Sequence, residues 1–84
     1  MRTLAILSKV PHAESNRKEW ESLQEFAAHG RVTCVTTEDP PNELDYCDIS
    51  REVEFIDATV GKGRVVHRLA EDYDFVWTGT GAKL

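Results

Sequence analysis

The stretch from Thr3 to Thr37 switches between two hydrophobic periods, and this switch limits the possible folds more than any other feature of the chain. Leu4 to Leu7 are all apolar, which is typical of a central β-strand covered on both faces. Beyond Pro11 apolar residues recur at helical spacing, and an extended pattern rich in valine and threonine follows. A strand, a helix and a strand in this order predict a right-handed parallel βαβ unit.

Local signals place the boundaries of these three elements. The sequence predicts a first strand over residues 3–10 and a second over residues 31–37. Asn16 fits a helix N-cap with Glu19 as its capping-box partner, and Gly30 fits a left-handed residue that ends the helix. One face of this helix is apolar and consists of Trp20, Leu23, Phe26 and Ala27.

The second half of the chain contains two further strands and one ambiguous segment. Residues 38–50 are a polar connection with a short helical turn near 42–46, and residues 52–60 and 74–78 are strands. Residues 61–69 fit either a helix after Gly61-Lys62-Gly63 or an antiparallel strand after a hairpin turn, and we favour the helix because its apolar stripe is regular. We therefore expect one α/β domain over residues 1–84: a small, mainly parallel sheet of three to four strands, with two helices and a βαβ unit at the N-terminus.

Composition indicates a folded domain in a reducing compartment. The chain has 84 residues, of which 40% are hydrophobic and 30% are charged. No apolar run approaches the roughly 18 residues that span a bilayer, and the apolar stretch at the start is too short for a signal peptide. Cys34 and Cys47 do not form a disulfide framework, so we expect a cytoplasmic protein with free thiols.

The acidity of the chain is concentrated in one stretch, residues 38–54, which we call the acidic segment. It carries seven acidic residues against one basic residue, a net charge of −6, whereas the whole chain has −5. Such a concentration predicts a docking surface for a basic protein and disfavours direct nucleic-acid binding. A solvated loop that only keeps the domain soluble is the simpler alternative. The candidate partner-binding residues are Asp39, Glu43, Asp45, Asp48, Glu52 and Glu54.

Basic residues near the carboxyl ends of the strands suggest a second kind of site. Ligands of open parallel sheets bind at this edge, and helix N-termini attract phosphate. The helix dipole disfavours cations in the first helical turn, so basic residues there fit an anion site. Thr78-Gly79-Thr80-Gly81 follows the last strand onto the same edge, and solvated surface charge is again the simpler alternative. The candidate anion-binding residues are Lys9, Arg17, Lys18, Lys62 and Arg64.

Two stretches resemble a known family. Residues 5–11, the helix that ends at Gly30 and the strand over residues 31–37 are similar to the opening of GT-B glycosyltransferases, and Tyr73-Asp74-Phe75-Val76-Trp77 resembles a later strand of the same N-terminal domain. The resemblance covers about half of the chain and implies a Rossmann-like half-domain. Those enzymes are several times longer and need a second lobe to bind the sugar nucleotide, so the resemblance implies the fold and not the activity.

No reaction chemistry is visible in the sequence. The histidines and cysteines lack metal-ligand spacing, and no nucleophile is paired with a base and an orienting group. We expect no cofactor and favour a non-enzymatic regulatory or inhibitory protein that docks on another protein through the acidic segment. The alternative is a module that binds a nucleotide or sugar nucleotide through its phosphates, and a homodimer whose second subunit completes the fold is a further possibility.

Overall fold

The computed structural model describes residues 1–79 and contains a single four-stranded sheet. Its elements are β1 (Arg2–Leu7), α1 (Arg17–His29), β2 (Arg31–Thr36), a short 3₁₀-helix (Glu43–Tyr46), β3 (Val53–Asp57), α2 (Lys62–Ala70) and β4 (Phe75–Thr78). All neighbouring strands pair in parallel, in the order β3-β2-β1-β4. The predicted α/β fold with two helices and an N-terminal βαβ unit is confirmed.

Strand β1 lies in the interior of the sheet, as its apolar run predicted. Leu4 and Ile6 pack into the core under α2, whereas Ala5 and Leu7 pack into the core under α1. None of these four side chains is more than 1% exposed. Because both faces of β1 are covered, polar residues would lack partners there, which explains the continuous apolar run.

Helix α1 uses the predicted face and ends at the predicted residue. Trp20, Leu23 and Phe26 contact the core, and Leu23 is fully buried. Asn16 occupies the N-cap position, but its side chain makes no capping hydrogen bond, so the predicted capping box is absent. Gly30 is needed for a different reason than a left-handed turn: a Cβ at this position would overlap the backbone carbonyl of Met1.

The ambiguous segment is a helix, which confirms the favoured alternative. Gly61 adopts the left-handed conformation (φ 66°) immediately before α2. The apolar face of α2 includes Val66 and Leu69 and covers the opposite face of the sheet from α1. At its end the hydroxyl of Tyr73 shares a hydrogen bond with Thr33 Oγ1 on β2. This bond fixes the link between α2 and β4 to the second strand.

Strand β3 is shorter than predicted because the chain turns after Asp57. The Asp57 Oδ1 atom accepts hydrogen bonds from the backbone N–H of Thr59 at 2.9 Å and from its hydroxyl at 2.7 Å. This Asx turn takes the place of further ladder hydrogen bonds. After α2 the chain returns across the sheet, so β4 lies on the far side of β1 from β2. The carboxyl ends of all four strands therefore lie at one edge, which we call the carboxyl edge.

Candidate functional site

A cavity of about 380 Å³ lies at the carboxyl edge, between the loop that follows β1 and the connection from β2 to β3. Backbone hydrogen bonds hold these two loops side by side. Glu38 and Asp39 donate their N–H groups to the Ser8 carbonyl at 3.0 and 2.9 Å, and Thr37 N–H donates to the Leu7 carbonyl at 2.9 Å. The parallel ladder thus continues into the loops and positions the walls of this carboxyl-edge cavity.

The carboxyl-edge cavity combines an apolar wall with acidic side chains. Trp20 from α1 lines it, together with the buried Pro11 and Ile49. The ionisable residues in its lining are Glu14, Asp45, Asp48, His12 and Cys47. Three carboxylates against one histidine give this cavity a negative potential, which favours a cation.

Few basic side chains contact the carboxylates of this cavity within residues 1–79. His12 Nε2 lies 3.9 Å from Asp45 Oδ1, and the side chains of both residues are almost half exposed. Over residues 1–79 the acidic segment forms no salt bridge with a lysine or arginine, since the one such pair joins Arg17 to Glu21. The indole Nε1 of Trp20 is buried and has no hydrogen-bond acceptor within the same residues.

The structure divides the six predicted partner-binding residues between two ends of the sheet. Asp45 and Asp48 line the carboxyl-edge cavity, and Asp39 and Glu43 lie in the same connection. Glu52 and Glu54 instead line a cavity of about 540 Å³ at the amino ends of the strands, where three arginines and one further carboxylate accompany them: Arg2, Arg31, Arg51 and Asp72. Of these two cavities, carboxylates therefore outnumber basic side chains in the lining of the carboxyl-edge cavity and equal them at the amino ends of the strands.

The predicted anion-binding residues are absent from the linings of three cavities of the protein. The cavities at the amino ends of the strands, at the carboxyl edge and beside β4 are not lined by Lys9, Arg17, Lys18, Lys62 or Arg64. Arg17 donates from Nε to Glu21 at 2.9 Å on the surface of α1, and Lys9 and Lys18 are exposed. Gly79 is buried beside Leu7 and Glu19, and the predicted contribution of Thr80 and Gly81 lies outside the described residues.

The two cysteines occupy opposite environments. Burial, and to a smaller extent the Glu19 carboxylate, raises the pKa of the Cys34 thiol to about 12. Cys47 is exposed and lines the carboxyl-edge cavity, where its thiol donates to the Glu43 carbonyl at 3.4 Å. The thiolate form of Cys34 is therefore suppressed, and the hydrogen bond of Cys47 goes to the backbone and not to a base.

Sequence patterns gave no reason to group His12, Trp20 and Cys47, whereas the structure brings them to one cavity. The available signal was positional: the loop after β1 and the connection after β2 both begin at the carboxyl edge of a parallel sheet. Within residues 1–79, no group of three or more potential ligand residues is arranged to hold a metal ion. No helix of that part of the chain is long and apolar enough to cross a membrane.

No family model matches the chain, and no curated protein or solved structure shows significant similarity to it.

Proposed function

We propose that this protein is a non-enzymatic binding module that docks on a basic surface of another protein and accepts one of its lysine or arginine side chains in the carboxyl-edge cavity. The observation that supports the proposal is the lining of this cavity, where the carboxylates of Glu14, Asp45 and Asp48 accompany the indole of Trp20. Covering a basic surface would make the protein a regulator or inhibitor of its partner.

The chemistry of the cavity suits a long cationic side chain. The methylene stem of an arginine or lysine packs on apolar surface while its charged end remains near polar groups. The Trp20 ring and Ile49 supply apolar surface, and a guanidinium above an indole gains a cation–π interaction of about 0.5–2 kcal/mol. The volume of about 380 Å³ lies near the lower end of the range for ligand cavities.

The surrounding charge supports recognition at longer range. Glu38, Asp39 and Glu43 are exposed and belong to the same connection as Asp45 and Asp48. Unpaired carboxylates attract a basic partner and accelerate its association, and they repel phosphate groups. This distribution favours a protein partner over a nucleic acid.

The test measures binding of an arginine-rich peptide by calorimetry at several salt concentrations, with a glutamine-substituted peptide as the ligand control. The double variant Asp45→Asn/Asp48→Asn should bind about tenfold more weakly and show a flatter salt dependence. Glu52→Gln/Glu54→Gln is the matched control, because it removes the same charge at the amino ends of the strands, where arginines line the cavity. Equal losses in the two double variants would mean that only net charge matters, and the proposed cavity would be wrong.

A thermal-shift series with nucleotides and sugar nucleotides tests the competing phosphate-binding function. A ligand present at about 100 times its dissociation constant adds about 2.7 kcal/mol to the stability of the fold. A shift of that size, abolished by Lys62→Gln or Arg64→Gln and unaffected by Asp45→Asn, would replace our proposal with the phosphate-binding function.

A further inference from the structure

The two edges of the sheet differ in how they are protected against pairing with another strand. The outer strand β3 carries the exposed acidic residues Glu54 and Asp57, and charged side chains are a usual means of blocking an edge. The outer strand β4 has the sequence Phe-Val-Trp-Thr and no charge. Phe75 and Val76 on this strand are 42% and 41% exposed. Within residues 1–79, the β4 edge therefore presents an unprotected apolar strand.

The hydrogen-bonding groups of β4 define its free side. Gly79 N–H donates to the Ile6 carbonyl of β1 at 2.9 Å. Because backbone groups alternate along an extended chain, the N–H and C=O groups of Phe75 and Trp77 point toward β1 and those of Val76 and Thr78 point away from it. β1 is the single neighbour of β4 within residues 1–79, so Val76 and Thr78 present backbone donors and acceptors at the open edge.

Apolar surface flanks this edge on both faces of the sheet. On the α1 side, the Phe26 ring contacts Phe75 and Trp77 edge-on, with centroid distances of 5.9 and 5.3 Å. On the α2 side, a cavity of about 380 Å³ adjoins the strand and has a mainly apolar lining that includes Val66, Ala70 and Val76. An added strand would extend both hydrophobic cores.

The chemistry of β4 makes a second β4 a suitable strand to add. In an antiparallel pair with Val76 opposite Val76 of a second copy, Phe75 of each copy lies opposite Trp77 of the other. Both aromatic pairs then lie on the α1 face, beside Phe26 of each copy, in the closely spaced non-hydrogen-bonded positions. Asp74 lies opposite Thr78 and not opposite a second Asp74, so this register places no like charges directly opposite each other.

We infer that the protein forms a symmetric dimer in which β4 pairs antiparallel with β4 of a second copy, with Val76 at the two-fold axis. The dimer has one continuous sheet of eight strands in the order β3-β2-β1-β4-β4-β1-β2-β3. Val76 of each copy exchanges two hydrogen bonds with its counterpart, and Thr78 N–H donates to the Asp74 carbonyl of the other copy. The interface is isologous, so the assembly closes at two copies and leaves the charged β3 edges outermost.

Sedimentation velocity over a series of protein concentrations tests this inference. The wild-type chain should move from a mass of 9.5 kDa toward twice that value as concentration rises. Val76→Lys should remain a monomer throughout, because two lysines would meet at the axis. Val60→Lys is the matched control: it makes the same substitution at a residue that is 87% exposed and away from β4, and it should still dimerise. A wild-type monomer at every concentration would overturn the inference, and so would equal dimerisation of the two variants.

Cross-linking keeps the test decisive if Val76→Lys fails to fold. In a Cys47→Ser background, which leaves only the buried Cys34 thiol, Val76→Cys should oxidise to a covalent dimer. The expected Cα–Cα distance of about 5.5 Å in a hydrogen-bonded antiparallel pair permits a disulfide. Val60→Cys in the same background should remain mostly monomeric. Equal rates of cross-linking at the two positions would refute the proposed register.

Discussion

Cys34 gives the fold a specific sensitivity to alkaline pH. Its thiol is fully buried in β2, and its pKa is raised from 9.0 to about 12, mainly by burial. Between these two values the unfolded chain loses the thiol proton while the folded chain keeps it. The contribution of Cys34 to stability is thus fully present below pH 9 and decreases as pH rises toward 12. Each pH unit in this window lowers the free energy of unfolding by about 1.4 kcal/mol.

The assay uses a Cys47→Ser background and compares urea unfolding at about pH 8 with urea unfolding at about pH 10.5. Tryptophan fluorescence monitors the unfolding. Replacing Cys34 by alanine removes the buried titrating group, whereas all other groups that ionise in alkali remain. The chain that retains Cys34 should lose about 2 kcal/mol more stability between the two pH values than Cys34→Ala does. Equal losses in the two proteins would show that the folded-state pKa of Cys34 is not raised, and the reasoning would be refuted.

Three further perturbations test the packing of the domain and its turns. Gly30→Ala should lower the free energy of unfolding by more than about 1 kcal/mol in a urea melt, because the added methyl group overlaps the carbonyl of the first residue; an unchanged melt would contradict this close approach. Leu23→Ala should cost about 2–5 kcal/mol, whereas Leu44→Ala, at a residue 80% exposed, should be nearly neutral; similar costs would contradict the assigned core. Hydrogen bonds from Thr59 lower the pKa of Asp57, so Asp57 stabilises the fold above its ordinary pKa and loses this effect in acid. An NMR titration should show the pKa of Asp57 rising toward 3.8 in Thr59→Val, which removes the hydroxyl donor and keeps the backbone N–H donor; no change would exclude the hydroxyl hydrogen bond as the main cause.

Local pattern predicted most elements and their buried faces, although it left residues 61–69 open between a helix and a strand and extended the first strand to residue 10, whereas β1 ends at Leu7. The run around Leu4 predicted a strand covered on both sides, and the spacing of Trp20, Leu23 and Phe26 predicted the buried face of α1. Both patterns depend on side chains that pack within one element, so the sequence order alone reveals them. The short strand β3 was overestimated because the Asp57 side chain starts a turn that hydrophobicity does not reveal.

The carboxyl-edge cavity is formed by contacts between two loops that are distant in the sequence, and local sequence patterns do not predict such contacts. His12 and Asp45 are far apart in the sequence and meet because the ladder between β1 and β2 continues into their loops. The acidic segment looked like one surface, yet the connection before β3 returns to the amino ends of the strands, so Glu54 lies at the opposite end of the sheet from Asp48. The concentration of charge in the sequence therefore did not reveal that its carboxylates are divided between the two ends of the sheet.

The position of β1 between β2 and β4 has a consequence for how the chain folds. Its contacts with β2 join residues about 30 apart, whereas the backbone N–H of Arg2 donates to a carboxylate oxygen of Asp74, 72 residues away. Closing the longer loop costs more chain entropy, so the pairing of β1 with β4 should form late. During synthesis, one side of β1 stays unpaired until residues 75–78 have left the ribosome. Until then the nascent chain exposes one edge of the apolar strand β1, and an unpaired strand edge of this kind promotes misassembly.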